Sequence, residues 1–330
     1  MWEKKPSLTD FGTLFLPKEA DEPILAKPVR DALLNWLTEI FAEDELKQVG
    51  ISARKRAIFD GLPGVGKTTL AHHLSARLGL PMLAVRPERI IDKWVGSSGR
   101  NIGDLFDLVT EEFSLDGSGE NKVPVVLFLD EFDALAAGRS DVQQGADQAR
   151  NEMVNTLLQR IEQYDGFLIA ATNFAKRIDE AIWRRFDMHI TLELPGQFER
   201  EEIIKRYLKP FGLPKTTLQL FGEVMRTASP ALIRAICEGL KREIIIGPKL
   251  GSNMDKEAVF ARLVSSIQPH PDAGKPPLWS NKNSNRDFKL LLEKISWPLL
   301  LLGDVKEIAE IEIISTNNII PIGGKLNDPK

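Results

Sequence analysis

The segment GLPGVGKT, residues 61–68, constrains the fold of this chain more than any other feature of its sequence. It matches the pattern G-x-x-x-x-G-K-[ST], which functions only between a strand and a helix. The apolar run Ala57–Phe59 precedes it, and TTLAHHLSARLG continues from it with helical spacing. Glycines allow backbone N–H groups to face phosphate oxygens, and the positive end of a helix stabilises the phosphate charge. The segment therefore predicts a P-loop in an α/β fold.

Individual side chains of this loop have predicted roles in binding ATP. We expect Lys67 to reach the β- and γ-phosphates and Thr68 to place its hydroxyl on a Mg²⁺ ion shared with the nucleotide. Backbone groups of the same loop complete the cradle. The predicted nucleotide-binding residues are Pro63, Gly64, Val65, Gly66, Lys67, Thr68 and Thr69.

Strand and helix patterns alternate as far as Pro195, which predicts a P-loop parallel sheet sandwiched by helices, an αβα architecture. Beyond Pro195 the patterns become helical. A chain of 330 residues also exceeds the usual size of one domain. The predicted division is an N-terminal arm at 1–22, a nucleotide-binding domain at 23–196, a small all-helical lid at 197–247, and a mainly helical C-terminal extension at 248–330 with a proline-rich loop at 268–280.

Polar residues end two of the predicted strands, and the carboxyl ends of such strands are where these sheets bind ligands. After the apolar run Val125–Leu129, Asp130 is expected to bind Mg²⁺ directly or through water, and Glu131 to orient the attacking water. The strand FLIAAT ends at Asn173, which could hold that water or a γ-phosphate oxygen without adding charge. By itself, an asparagine at a strand exit is more often a turn former.

Two adjacent arginines, Arg184 and Arg185, follow about ten residues after that asparagine. Their position suits the ATP of a neighbouring subunit better than the P-loop of the same chain. An arginine supplied in trans accelerates phosphoryl transfer by roughly 10³ to 10⁵. The alternative is a solvated basic pair on the surface.

Taken together, GLPGVGKT, VVLFLDEFD, FLIAATN and IDEAIWRRFD resemble the AAA family of ATPases over roughly residues 25–245. The resemblance implies an αβα nucleotide domain with a helical lid, hydrolysis of ATP with Mg²⁺, and a ring that is usually a homo-hexamer. It also implies nucleotide sites shared between subunits, with Arg184 and Arg185 as arginine fingers.

The same resemblance points to loops that would line the pore of such a ring. Lys93, Trp94 and Val95 occupy the place of the family's first pore loop, where an aromatic residue grips an extended polypeptide. We therefore predict Trp94 as the principal substrate contact, with packing of Trp94 into the core as the alternative. Residues 138–150 would correspond to a second pore loop.

The sequence departs from the family pattern around the nucleotide. Leu62-Pro63 replaces Pro-Pro in the P-loop, Asp60 stands where a small or aromatic residue is common, and Ser229-Pro230-Ala231 replaces Gly-Ala-Asp in the lid. Phosphate contacts should survive because they use the backbone. By resemblance, residues near Ile24 and Leu25 and the helix around 231–234 would border the adenine.

Composition narrows the classes of function and the compartment. The net charge is −4, which gives no support to nucleic-acid binding or to attraction by an anionic membrane. The single cysteine, Cys237, excludes an internal disulfide, and no segment has the length of a membrane span, so we expect a cytoplasmic protein. No HExxH motif is present, so any proteolysis would have to come from a partner.

Two functions from different classes agree with these observations. The first is an ATP-hydrolysing ring motor that remodels, unfolds or threads a protein substrate through a central pore using Trp94. The alternative is a nucleotide-gated oligomeric scaffold that recruits or activates a partner effector such as a protease or nuclease. By resemblance to stand-alone bacterial members of the family, that effector could act in defence against phage.

Overall fold

The computed structural model describes residues 7–91, 98–110, 113–114, 122–136, 145–280 and 286–303. The chain divides into two compact units, Met1–Leu194 and Pro195–Lys330. Each unit has its own hydrophobic core and is described by itself.

The first unit alternates strands and helices, as its sequence pattern predicts. Its described helices are α1 (Leu8–Phe11), α2 (Lys27–Phe41), α3 (Glu43–Gln48), α4 (Lys67–Arg77), α5 (Ser98–Thr110), α6 (Gly145–Gln163) and α7 (Glu180–Trp183). Its described strands are β1 (Gly12–Phe15), β2 (Arg56–Asp60), β3 (Met82–Val85), β4 (Phe113–Ser114), β5 (Lys122–Val123), β6 (Val126–Leu129), β7 (Leu168–Thr172) and β8 (Met188–Thr191).

Six strands form one sheet in the order β1-β3-β6-β7-β2-β8, and every pairing except β1 with β3 is parallel. The central strands are buried on both faces, since all four residues of β6 and all five of β7 are buried. One face packs against α5 and α6, and the other packs against α2 and α4. The predicted α/β fold with a parallel sheet between helices is confirmed.

The N-terminal region differs from the extended arm that the sequence predicts for residues 1–22. Its described part contains α1 and then β1, which adds an antiparallel edge strand to the sheet beside β3. Phe11 is buried in the core, and His72 of α4 lies 3.0 Å, Nε2 to carbonyl oxygen, from Leu16. This region is therefore part of the nucleotide-domain unit.

The second unit is mainly helical in its described residues. Its elements are α8 (Gln197–Leu208), β9 (Phe211–Gly212), α9 (Lys215–Val224), α10 (Pro230–Ile246), α11 (Lys256–Ser266), α12 (Arg286–Lys294) and β10 (Leu300–Leu301). Ser229 caps the start of helix α10, because its side chain accepts a hydrogen bond from the amide of Leu232.

The predicted lid and the described part of the predicted extension form this one unit together. Helix α12 packs on α9, and α11 packs on α10. Phe260 of α11 packs edge to face against Phe221 of α9 and against Phe288 of α12. The proline-rich loop is also anchored, because the indole nitrogen of Trp279 donates to the carbonyl of Ile267 at 2.8 Å.

Among the described residues, no helix is both long enough and apolar enough to cross a membrane. The segment Ile308–Ile314, for which the sequence pattern is ambiguous between strand and helix, lies outside the described residues.

Candidate active site

The P-loop connects β2 to α4 and has the backbone shape that a phosphate cradle needs. Gly61, Gly64 and Gly66 have φ angles of 149°, 78° and 104°, a region that glycine adopts without steric cost. Helix α4 begins at Lys67, directly after Gly66. The first amide groups of a helix have no partner within it, so they face the loop with their positive end.

Lys67 is buried, with 7% of its surface exposed, and its ammonium group has three hydrogen-bond acceptors. Its Nζ donates to the carbonyls of Gly61 at 2.7 Å and Leu62 at 3.2 Å, and to Oδ1 of Asn173 at 2.7 Å. The third contact joins the P-loop to the end of β7, 106 positions away in sequence. Sequence reasoning proposed both residues for one site, and the structure brings them together.

Burial lowers the pKa of Lys67, and three nearby carboxylates, Asp130, Asp60 and Asp133, act in the opposite direction. Burial is the largest of these influences because the charged form loses its hydration. The site thus holds a poorly hydrated cation beside acidic groups. A phosphate group would favour the charged form of Lys67.

The end of β6 brings a carboxylate to the P-loop. The Thr68 hydroxyl donates to Oδ2 of Asp130 at 3.1 Å. Hydroxyl, carboxylate and phosphate oxygens are the ligands that Mg²⁺ accepts alongside water, so this donor set fits that ion. No cluster of three or more His, Cys, Asp or Glu side chains that could hold a metal ion occurs in the part of the chain that the structure describes.

Glu131, next to this carboxylate, has an unusual backbone conformation. Its φ of 45° and ψ of 42° lie in the left-handed region, which side chains other than glycine adopt at a cost. Its amide donates to Oδ1 of Asp130 at 2.9 Å, and its side chain is exposed. Asp130 is half-buried and accepts a hydrogen bond from Thr68, whereas Glu131 is exposed, a difference that sequence alone does not reveal.

Two hydrogen bonds of Thr172, which sequence reasoning did not predict, hold the end of β7 next to Asn173. The Thr172 hydroxyl donates to Oδ1 of Asp133 at 2.7 Å and accepts from the amide of Phe174 at 2.9 Å. Thr172 is fully buried. The threonine at the last position of an apolar strand was the only available signal.

The two arginines lie near the amino ends of the parallel strands, whereas the P-loop lies at their carboxyl ends. Arg184 and Arg185 come just before β8 begins, whereas the P-loop follows the carboxyl end of β2. The two strands are parallel, with Asp60 beside Thr191. The length of the strand, about 13 Å, therefore separates this arginine pair from the phosphate cradle of its own chain.

A cavity of about 140 Å³ borders the region predicted to approach the adenine. Leu25 lines it together with Leu33 and Leu37 of α2 and with His73 and Arg77 of α4. Burial is the largest influence lowering the pKa of His73. The lining of the cavity is mainly apolar, and its charged side chains are Glu22, Arg30 and Arg77.

The predicted pore-loop residues Lys93, Trp94 and Val95 lie outside the described residues. The same is true of positions 138–144 in the second predicted pore loop, while its last residues, 145–150, begin α6.

A protein-family model and several known proteins match this chain. The family model described as "ATPase family associated with various cellular activities (AAA)" matches residues 57–194. The uncharacterized AAA family ATPase y4kL of Sinorhizobium fredii is 39% identical over 224 residues, which cover 64% of this chain and 63% of that protein.

Proteasome-activating nucleotidases are also similar to this chain. The protein from Thermococcus kodakarensis is 30% identical over 245 residues, covering 71% of this chain and 58% of its own length. The protein from Pyrococcus abyssi is 32% identical over 199 residues, covering 58% and 47% respectively. The chain thus spans less than two thirds of the length of each of these relatives.

The matched region contains the P-loop, the acidic end of β6, Asn173 and the arginine pair, in the order and on the elements described above. Residues 57–194 therefore form a domain of the AAA family of P-loop ATPases.

Proposed function

We propose that this chain hydrolyses ATP with Mg²⁺ at the site formed by the P-loop and the ends of β6 and β7. The observation that carries the proposal is the convergence of Lys67, Thr68, Asp130 and Asn173 through direct hydrogen bonds. A buried cation, a pair of oxygen donors and a neutral polar group are the components that phosphoryl transfer requires.

In this mechanism, the residues of the chain position groups and compensate charge. Lys67 exchanges its contact with Asn173 for the β- and γ-phosphate oxygens. Thr68 and Asp130 would hold Mg²⁺, which would neutralise charge on those oxygens. Glu131 orients and polarises the attacking water, and Asn173 holds that water or a γ-phosphate oxygen.

The proposed active unit is a ring of identical subunits, six by family resemblance. The arginine pair supports this, because it lies about one strand length from its own P-loop, too far to contact the same nucleotide. An arginine supplied by a neighbouring subunit would stabilise the charge that develops on the transferring phosphoryl group.

The proposed outcome of hydrolysis is mechanical work on a protein substrate, with Trp94 as its contact. The names of the relatives from Thermococcus and Pyrococcus, proteasome-activating nucleotidases, support this direction. A nucleotide-gated scaffold that activates a partner effector is the competing function, and no described contact favours it.

The first experiment measures the mass of the Glu131→Gln protein with and without ATP and Mg²⁺, because this change should trap ATP while leaving its binding intact. We expect a six-subunit ring when both are present. A monomer under both conditions would contradict the shared nucleotide sites.

A second experiment separates the motor from the scaffold. Trp94→Ala should abolish unfolding of a loosely folded reporter protein while ATP hydrolysis stays within about two-fold, since Trp94 lies far in sequence from the P-loop. Unimpaired unfolding by this variant would refute threading through Trp94. Equal assembly of Trp94→Ala and Glu131→Gln rings with a partner would favour the scaffold.

A further inference from the structure

The two adjacent arginines have different surroundings, although the sequence presents them as a pair. Arg185 contacts Glu162, a residue of another element, through two of its nitrogens. Its Nε donates to Oε1 of Glu162 at 2.5 Å, and its Nη2 pairs with the same oxygen. Two donors from one planar guanidinium fix its orientation as well as its position.

Arg184 is held less firmly and is more exposed. Its ion pair is with Glu180, one turn earlier in α7, and both side chains extend into solvent, with exposed fractions of 69% and 77%. The corresponding fractions for Arg185 and Glu162 are 39% and 48%. Exposed ion pairs one turn apart contribute little to stability, so another anion can replace Glu180 readily.

Glu162 belongs to a rigid support for the turn that carries the arginines. It lies in the last turn of α6, next to Ile161, whose carbonyl accepts a hydrogen bond from Nη1 of Arg56 at 3.2 Å. Nε of Arg56 is also 3.4 Å from Oδ2 of Asp187, and the amide of Asp187 donates to the carbonyl of Arg56 at 3.0 Å. These hydrogen bonds therefore link helix α6 and strand β2 to the turn between α7 and β8, which carries the two arginines.

Two contacts between aromatic rings also hold the turn that carries the arginines. Trp183 stacks on His189 with centroids 4.4 Å apart. Phe186 is buried and packs edge to face on Phe132, which follows Glu131. The backbone of the turn is thus held in place, and Arg184 is the exposed cation that this support presents.

We propose that the two arginines have separate roles: Arg184 is the residue that reaches the neighbouring subunit's ATP, and Arg185, held by Glu162, is a positioning residue that presents it. This inference rests on the proposed function, in which an arginine acts in trans. Arg185 is directed toward α6 at the amino edge of the sheet, and contact with a phosphate would require it to leave Glu162. Among the described residues, Arg184 has one ion-pair partner to leave, Glu180.

The test uses full-length Arg184→Ala, Arg185→Ala and Glu162→Gln proteins at a concentration that forms the ring, with kcat and KM for ATP measured for each. Arg184→Ala should lower kcat by about 10³ or more. Arg185→Ala and Glu162→Gln should each lower kcat by roughly 10- to 100-fold through misplacement of Arg184, with KM within about two-fold.

The double variants distinguish positioning from loss of stability. If Glu162 and Arg185 act through Arg184, adding Glu162→Gln or Arg185→Ala to the Arg184→Ala protein should not lower kcat further. Glu39→Gln is the matched control, because Glu39 binds Arg54 through two nitrogens in the same unit. It should shift the melting temperature about as much as Glu162→Gln while leaving kcat unchanged.

Several outcomes would overturn this assignment. One is an unchanged or raised kcat in Glu162→Gln. Another is that Glu162→Gln lowers kcat as much in the Arg184→Ala background as it does alone. A third is a loss of kcat of about 10³ in Arg185→Ala with no loss in Arg184→Ala. If neither arginine affects kcat in a protein that still hydrolyses ATP, the trans arginine itself fails, and with it that part of the proposed function.

Discussion

Adding one methyl group at Gly12 should detach the edge strand β1 from the sheet. A Cβ atom at this position would lie 2.1 Å from the carbonyl oxygen of Ala84 and 2.8 Å from its carbonyl carbon, both in the backbone of β3. Its φ of −172° is extended and suits any residue, so the obstacle is space alone. Relief of the clash requires β1 to move by about 1 Å, enough to lengthen every hydrogen bond of a four-residue pairing.

Overpacking of this kind costs about 1–3 kcal/mol. Because β1 is at the sheet edge, we expect local opening, with hydrogen-exchange protection of residues 12–15 lowered by roughly 5- to 150-fold in Gly12→Ala. Thr13→Ala is the control, since Thr13 is exposed in the same strand. Equal protection in both variants would refute the argument that close approach at Gly12 holds the strand.

Three further predictions concern the site and the pH dependence of stability. Asn173→Ala should lower kcat by roughly 100-fold with ATP binding retained, as turnover and calorimetry would reveal. Arg54 lowers the pKa of Glu39 from its usual 4.5, so this pair stabilises the fold above that pH and loses its effect as pH falls; Glu39→Gln should remove about 0.5–1 kcal/mol from unfolding free energies at pH 7 and less at pH 3. Burial raises the pKa of the Cys237 thiol from its usual 9.0. The free energy of unfolding should therefore fall by about 1.4 kcal/mol per pH unit as the pH rises above 9.0. Cys237→Ala should remove that slope in urea titrations at alkaline pH.

The features that sequence reasoning predicted are local patterns. The P-loop is a contiguous segment whose glycines and lysine specify its shape, and the strand before Asp130 is a continuous apolar run. Asn173 could be placed beside Lys67 because parallel strands bring their carboxyl ends to one edge. These inferences need no knowledge of long-range packing.

The features that it missed depend on contacts between distant segments. β1 is only four residues long and begins with a glycine, so periodicity cannot distinguish it from a loop, and its pairing with β3 spans about 70 positions. The grouping of α12 with α9 likewise crosses the domain boundary predicted after residue 247. The unequal arginines depend on Glu162, whose proximity is set by the packing of α6.

The contact between Lys67 and Asn173 gives the proposed mechanism a simple order of events. An ammonium group has three donors, and here they are directed to Gly61, Leu62 and Asn173. A phosphate oxygen can enter this set only by replacing one acceptor, and the amide of Asn173 is the one on a separate strand. Binding of ATP would therefore release Asn173 from Lys67 at the moment when a water or γ-phosphate oxygen needs a partner. Loss of the Asn173 side-chain amide should thus slow the chemical step more than it weakens ATP binding. The reason is that the contact between Asn173 and Lys67 belongs to the state without nucleotide.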